Sequence, residues 1–291
     1  MKNFTGYKLS IGISIFLSLF TLNCLADEAL TRSQLADNVK AGEVVPLSSV
    51  EIAKKLANPI ANMVSVPFQY NFSRGLGKNQ GGSEQTLLFQ PVVPFDLGGG
   101  DNIIVRPIVT GVRETNIQGP SGQPYSAYGI SNVVVESFYA PNTNSSWIWG
   151  VGPFASSPAG NSGHFGSQQT GAGVTGVVLN RQGPWTYGAL AYQSWSVGGN
   201  PTFGTQNNLY GQPFVSYTNS AAWTFMLVSQ AQYNYDSHRT NNPLNFVISK
   251  LYVLDGQPIQ FGFGPSYYLS NTPGGASGWG GRAVVTFVFA K

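Results

Sequence analysis

Chemistry in this chain would have to come from very few residues. His164 and His238 are its two imidazoles, and Cys24 is its single thiol. Asp236-Ser237-His238 brings together the residue types of an acid, a nucleophile and a base. Adjacency in sequence is not relay geometry, in which each side chain must be oriented by the next. An exposed polar loop explains the tripeptide at least as well, and that is the preferred reading. No His, Cys or carboxylate grouping has metal-ligand spacing. Gly171-Ala172-Gly173 lacks the strand–turn–helix context of a phosphate loop, and reads as glycine giving curvature or room inside a strand. No catalytic residue, cofactor or metal is therefore expected. What remains is charge. Arg106, Glu136 and Arg282 fall on the phase of their strands that carries small and polar residues, so all three would converge on the interior of a closed sheet. Arg106 and Glu136 could form a filling ion pair; alternatively Arg106 and Arg282 could make a weakly anion-favouring constriction.

The elements that must position these residues have a period of two. Val66, Phe68, Tyr70 and Phe72 alternate with Pro67, Gln69, Asn71 and Ser73. Trp185, Tyr187, Ala189 and Ala191 alternate with Thr186, Gly188, Leu190 and Tyr192, and the same pattern runs from Ile259 to Tyr267. Such alternation marks strands with one apolar and one polar face. About twelve such segments follow one another, near 63–74, 84–96, 101–113, 126–140, 146–156, 168–181, 184–197, 207–218, 222–235, 244–254, 257–269 and 279–290. Each is long enough to cross a bilayer as a tilted strand, which takes roughly 9–11 residues. The connections after the even-numbered segments are short, such as Gln182-Gly183 and Asp255-Gly256. Most after the odd-numbered ones are longer and rich in Gly, Pro and Asn, such as 114–125, 157–167 and 198–206. Membrane barrels alternate short turns with long loops in this way; a soluble β-sandwich, the competing architecture, has no reason to.

Composition agrees. Charged residues make up 9% of the chain, where about 25% is usual. Aromatics reach 13%, and beyond the N-terminus no apolar run approaches the 18 or so residues of a helical span. The expected fold is all-β: a transmembrane antiparallel up-and-down β-barrel of about 12 strands with a short N-terminal helical segment.

The N-terminus reads as a secretory signal over residues 1–26: Lys2 and Lys8, an apolar run from Ile11 to Leu22, then Cys24-Leu25-Ala26 as a cleavage site. Its removal takes 15 Lys and Arg to 13, against 12 Asp and Glu. A net charge near +1 speaks against a nucleic-acid partner. Residues 27–60 form a separate periplasmic or plug segment, in which Ser48-Ser49-Val50-Glu51 reads as a capping box and Pro59 as a stop. Val50, Ile52, Ala53 and Leu56 give that helix an apolar stripe. Residues 61–291 form the barrel. Trp147, Trp149, Trp185, Trp223 and Trp279 all stand at strand starts, where amphipathic rings would form interfacial girdles. Lys250 shares the phase of Leu244, Phe246 and Ile248, so it would snorkel from the lipid face. The closing strand Val285-Thr286-Phe287-Val288-Phe289 has the alternating aromatic form of a barrel-assembly signal, although Ala290-Lys291 extend past it.

Several stretches are similar to one family. Leu56-Ala57-Asn58-Pro59-Ile60-Ala61-Asn62, Ser65-Val66-Pro67-Phe68-Gln69, Gln90-Pro91-Val92-Val93-Pro94-Phe95, Trp147-Ile148-Trp149-Gly150-Val151-Gly152-Pro153 and Gly183-Pro184-Trp185-Thr186-Tyr187-Gly188 resemble, in order, a family of bacterial outer-membrane transporters grouped with a phenol meta-degradation pathway protein. The resemblance runs from about residue 56 to the end. It implies a Gram-negative outer-membrane barrel whose partners are outer-membrane lipid, the barrel-assembly machinery and a small solute; it carries over no catalytic site and sets no oligomeric state. Three functions follow from these expectations: a narrow channel for small, hydrophobic or aromatic solutes; a non-conducting structural barrel; and an outer-membrane barrel hydrolase. The chain is expected not to be an enzyme.

Overall fold

The computed structural model describes residues 47–118, 123–143, 145–159, 165–203 and 205–289. The signal-like segment, Cys24 and His164 lie outside these residues, as do Ala290 and Lys291. Helix α1 spans Ser49–Leu56. Fifteen strands follow: β1 Val64–Leu76, β2 Gly82–Phe89, β3 Val93–Gly98, β4 Asp101–Gln118, β5 Pro124–Ile130, β6 Val133–Ala140, β7 Trp147–Ser157 and β8 Gln169–Gln182. The chain continues with β9 Trp185–Gly199, β10 Asn207–Thr218, β11 Trp223–Ser229, β12 Ala231–Asn234, β13 Arg239–Leu254, β14 Gln257–Ser270 and β15 Trp279–Phe289.

These fifteen strands make twelve crossings. β2 and β3 both pair with β4, β5 and β6 both pair with β4, and β11 and β12 lie between β10 and β13. Each of these three couples is one crossing with a local break. β1 pairs antiparallel with β2 on one side and with β15 on the other, which closes the sheet into a barrel. The breaks fall at 90–92, 131–132 and 230. Proline explains the first, since Pro91 has no N–H for the ladder. The third faces Pro243, where the β13–β14 register shifts and whose carbonyl accepts the Gln230 N–H at 3.0 Å.

Sequence alternation maps onto the two faces as lipid-out and polar-in. Phe68, Tyr70, Val151, Val174, Val178, Phe261 and Phe263 are exposed on the outer face. Gln69, Ser73, Thr175, Thr186, Ser194, Asn245, Ser249 and Ser266 are buried on the inner one. A belt of bare apolar side chains around a polar interior is unfavourable in water and matches hydrocarbon.

The two ends differ. At one end, here the turn end, the connections are short. Asp255 and Gly256 both have positive φ, 50° and 80°, which is the two-residue hairpin turn whose twist suits antiparallel strands. At the other end, the loop end, the longest connections lie between β7 and β8, β9 and β10, and β14 and β15. The expected long loop over 114–125 is mostly strand instead: β4 runs to Gln118 and pairs with β5, so the hairpin continues past the neighbouring strands.

α1 begins where the capping box places it. Ser48 is the N-cap, and its Oγ accepts the Glu51 N–H at 3.2 Å. Ile52 and Ala53 are buried in a cluster with Ala61, Met63, Ala222, Leu251 and Val288, against which Val50 and Leu56 pack. Leu251 and Val288 belong to the turn-end halves of β13 and β15, so the helix lies at the turn-end mouth. Glu51 Oε2 lies 3.7 Å from Arg181 Nη2 at the turn end of β8. Ile60 continues the closure. It sits in a second cluster with Ile104, Phe138, Val177, Leu179, Leu190 and Phe214. Burial of Ile52, Ile60 and Met63, at about 1.5–3 kcal/mol each, holds the helix and the segment after it against this end.

Candidate functional site: the lumen and its collar

Inside the barrel lie two cavities that share four lining side chains. The turn-end cavity has a volume of about 210 Å³ and runs from α1 and residues 57–63 up to Arg106 and Arg282. The loop-end cavity has a volume of about 470 Å³. Gln90, Arg106, Gln212 and Gln230 line both. They form a collar between the two chambers.

The collar follows from the strand chemistry already described. Gln90 and Gln230 sit at two of the strand breaks, and Gln90 and Gln212 each precede a proline, Pro91 and Pro213. Where a ladder hydrogen bond is missing the strand bends, and a side chain can be re-aimed.

Arg106 and Glu136 are direct cross-strand partners on β4 and β6. Arg106 Nη1 lies 3.2 Å from Glu136 Oε2. Both side chains are largely shielded, 11% and 3% exposed. Glu136 Oε1 also accepts the Thr175 hydroxyl at 3.1 Å. Arg106 Nε and Nη1 make no hydrogen bond of good geometry, so the pair rests on charge attraction more than on alignment. The pair is internally neutral.

Arg282 stands apart from that pair. Its Nε donates to Asn71 Oδ1 at 2.7 Å and its Nη2 to Gln230 Oε1 at 2.6 Å. Gln230 Nε2 in turn donates to the Tyr210 hydroxyl at 3.2 Å, and Tyr210 Oη donates to Gln212 Oε1 at 2.7 Å. Arg282 thus acts on the collar through Gln230 and has no carboxylate partner among the described residues. Arg106, Glu136 and Arg282 line one lumen but differ in their partners: one compensated pair and one arginine bound to neutral amides. The collar glutamines were not anticipated. For Gln90 and Gln212 the signal was inward phase combined with a following proline; Gln230 has no proline beside it in sequence, only Pro243 facing it from β13.

Above the collar the wall is aromatic. Phe154 and Tyr192 stack with centroids 4.3 Å apart, and Tyr192 and Tyr210 at 4.8 Å. Glycine keeps part of the wall close. An added Cβ at Gly264 would strike the Phe246 carbonyl oxygen of the next strand.

The five tryptophans anticipated as girdles all point outward and are exposed. Trp147, Trp149, Trp185 and Trp223 follow short turns, and so stand at the turn end. Trp147 meets Tyr187 edge-on at 6.4 Å and Trp185 meets Tyr217 at 5.0 Å. Trp279 lies at the opposite, loop end, against Tyr267 at 5.0 Å. Trp195, not singled out from sequence, is exposed near the loop end of β9. Lys250 reaches from the lipid face to the Ala221 carbonyl at the turn end, with its ammonium 5.7 Å from the Trp223 ring centre.

Asp236, Ser237 and His238 form no relay. Asp236 accepts from the Thr205 hydroxyl and from Asn207 Nδ2. Ser237 Oγ donates to Asn234 Oδ1 at 2.7 Å, and His238 Nδ1 pairs with the Tyr233 hydroxyl at 3.0 Å. Hydrogen bonds from Thr205 and Asn207 hold the Asp236 carboxyl below its ordinary range. The tripeptide ties the β9–β10 and β12–β13 connections together.

No protein-family model and no curated protein matches the chain. Solved structures do match in fold. An outer-membrane channel from Pseudomonas putida F1 is 10% identical, with a TM-score of 0.59, over 78% of this chain and 96% of that one. The β-domain of a Bordetella autotransporter is 10% identical, with a TM-score of 0.42, over 78% of this chain and 100% of its own. Outer membrane phospholipase A from Escherichia coli is 13% identical, with a TM-score of 0.43, over 81% and 98%. At these identities the first likeness is one of fold.

Proposed function

We propose that the chain is a narrow outer-membrane channel for small uncharged solutes. The observation that carries this reading is the collar, four side chains joining two luminal chambers, three of them neutral amides and the fourth an arginine already paired with Glu136. A structural barrel would gain more by filling that space with apolar side chains than by lining it with amides. Twelve crossings suit a narrow lumen, whereas wide aqueous pores belong to roughly 16–18 strands. The fold shared with the Pseudomonas putida channel supports the reading. The resemblance to transporters grouped with a phenol-degradation protein agrees with the aromatic wall, and aromatic solutes fall within the proposed class.

In this reading residues 1–26 are a secretory signal and the turn end faces the periplasm. α1 stands at the periplasmic mouth as a plug, held by Ile52, Ala53 and the Glu51–Arg181 contact. The test is planar-bilayer conductance of the refolded mature protein, beside a form lacking residues 27–60. Small discrete conductance steps that grow on deletion support the channel and the plug. Absence of conductance in both forms, with the barrel folded, refutes the channel.

A further inference from the structure

One level of the loop-end chamber carries a row of four polar side chains, three of which make no side-chain hydrogen bond among the described residues. Tyr192, Tyr210, Gln232 and Asn241 are successive register partners across β9, β10, β12 and β13. They therefore stand at one level of the barrel, and all four line the chamber. The Tyr210 hydroxyl is bonded to Gln212 and Gln230. The Tyr192 hydroxyl and the amides of Gln232 and Asn241 have no side-chain hydrogen bond among the described residues, yet they are only half-buried and so face the open volume. In the collar just below, Gln212 accepts hydrogen bonds through Oε1, and its Nε2 makes none among the described residues.

We infer that this row is a binding ledge for a small neutral polyhydroxylated solute, of the size and chemistry of a monosaccharide; the inference builds on the channel reading and narrows its solute class. A primary amide offers donors and an acceptor on the same group, and so does a hydroxyl. An alcohol-rich solute can pair with both sides of each amide. A carboxylate only accepts and an ammonium only donates, so either would leave half of the ledge unpaired. The charged pair at its floor, Arg106 and Glu136, is internally neutral, and Arg282 lies on the turn-end side of the collar, where Asn71 and Gln230 engage its guanidinium. A purely apolar solute would strip water from the amides and return no hydrogen bond, so the ledge favours solutes that carry hydroxyls over those that carry none. The stacked Phe154, Tyr192 and Tyr210 supply the apolar wall beside the amides. The chamber, about 470 Å³, falls within the roughly 300–1,000 Å³ of small-molecule sites.

The test is equilibrium calorimetry of D-xylose and D-glucuronate against the mature protein in detergent. Saturable xylose binding is expected, with glucuronate clearly weaker. Gln232→Leu/Asn241→Leu should weaken xylose about tenfold, the loss of one to two hydrogen bonds. Tyr192→Phe removes a single hydroxyl and keeps the stack, so it serves where the double variant does not fold; it should weaken xylose several-fold. Absence of xylose binding, equal affinity for glucuronate, or unchanged affinity in folded variants overturns the assignment. Binding is read without conductance, so a protein that binds xylose but carries no current refutes the channel alone, and one that conducts without binding refutes the ledge alone.

Discussion

Replacing Phe263 by arginine tests whether the outer face meets hydrocarbon. Phe263 is 68% exposed and sits midway along β14, between Ile248 on β13 and Ala283 on β15. In water, such exposure would make the ring dispensable and the guanidinium welcome. In a bilayer the position lies near the midplane, where Arg costs about 2–4 kcal/mol, falling to about 0–1 near the interfaces. At 1.4 kcal/mol per factor of ten, that is roughly a 30- to 700-fold loss in the folding equilibrium. Tyr267→Arg, four residues toward the loop-end girdle beside Trp279, should cost about 1 kcal/mol or less. Gln260→Arg points into the turn-end cavity and should be tolerated. Gly262 is a poorer lumen control, because a Cβ there would lie 2.9 Å from the Ser249 Cβ. The assay is denaturant-dependent refolding into lipid vesicles, read by heat-modifiable gel mobility. Equal tolerance of Phe263→Arg and Gln260→Arg would refute the assignment of faces.

Further expectations follow from the interior and the ends. Arg106→Ala leaves Glu136, 2% exposed, without its counter-ion and should cost about 3–5 kcal/mol in the same assay, most of it recovered in Arg106→Leu/Glu136→Leu. Ile52→Asp should release α1 from its cluster and raise the open fraction in single-channel records while leaving gel mobility unchanged. Because the Asp236 carboxyl is held below its ordinary value by Thr205 and Asn207, the tie between its two loops should persist at neutral pH. It should fail only as pH falls through that lowered value; hydrogen exchange of residues 205–208 measured against pH would show this, and loosening at neutral pH would contradict it.

Strand positions were legible because a lipid-facing barrel must alternate: Phe261 and Phe263 can only face out if Gly262 and Gly264 face in. Inward phase also placed Arg106 opposite Glu136, since register partners share a face. The helix start was legible from Ser48 and Glu51, whose capping is local. The strand breaks were not. Pro91 marks the first in sequence, but nothing beside Ser131 or Gln230 reveals that the ladder fails there, and at Gln230 the cause lies on another strand, at Pro243. The collar depends on those breaks, so its glutamines were missed. Trp279 was correctly placed at a strand start, but that start faces the opposite end from Trp147 and Trp185, which only strand parity reveals. The hairpin from β4 to β5 was mistaken for a loop because Asn116 and Pro124 carry turn chemistry although they sit in β4 and β5.

The most direct test of the central claim places a thiol in the collar. The single native cysteine, Cys24, precedes the expected cleavage site, so Gln212→Cys would carry the mature chain's one thiol. Gln212 lines both chambers, and a bulky thiol reagent added during a bilayer recording should therefore reduce the current of each open channel in a single irreversible step. Full modification, verified by mass, with the current unchanged would contradict a solute path through the collar.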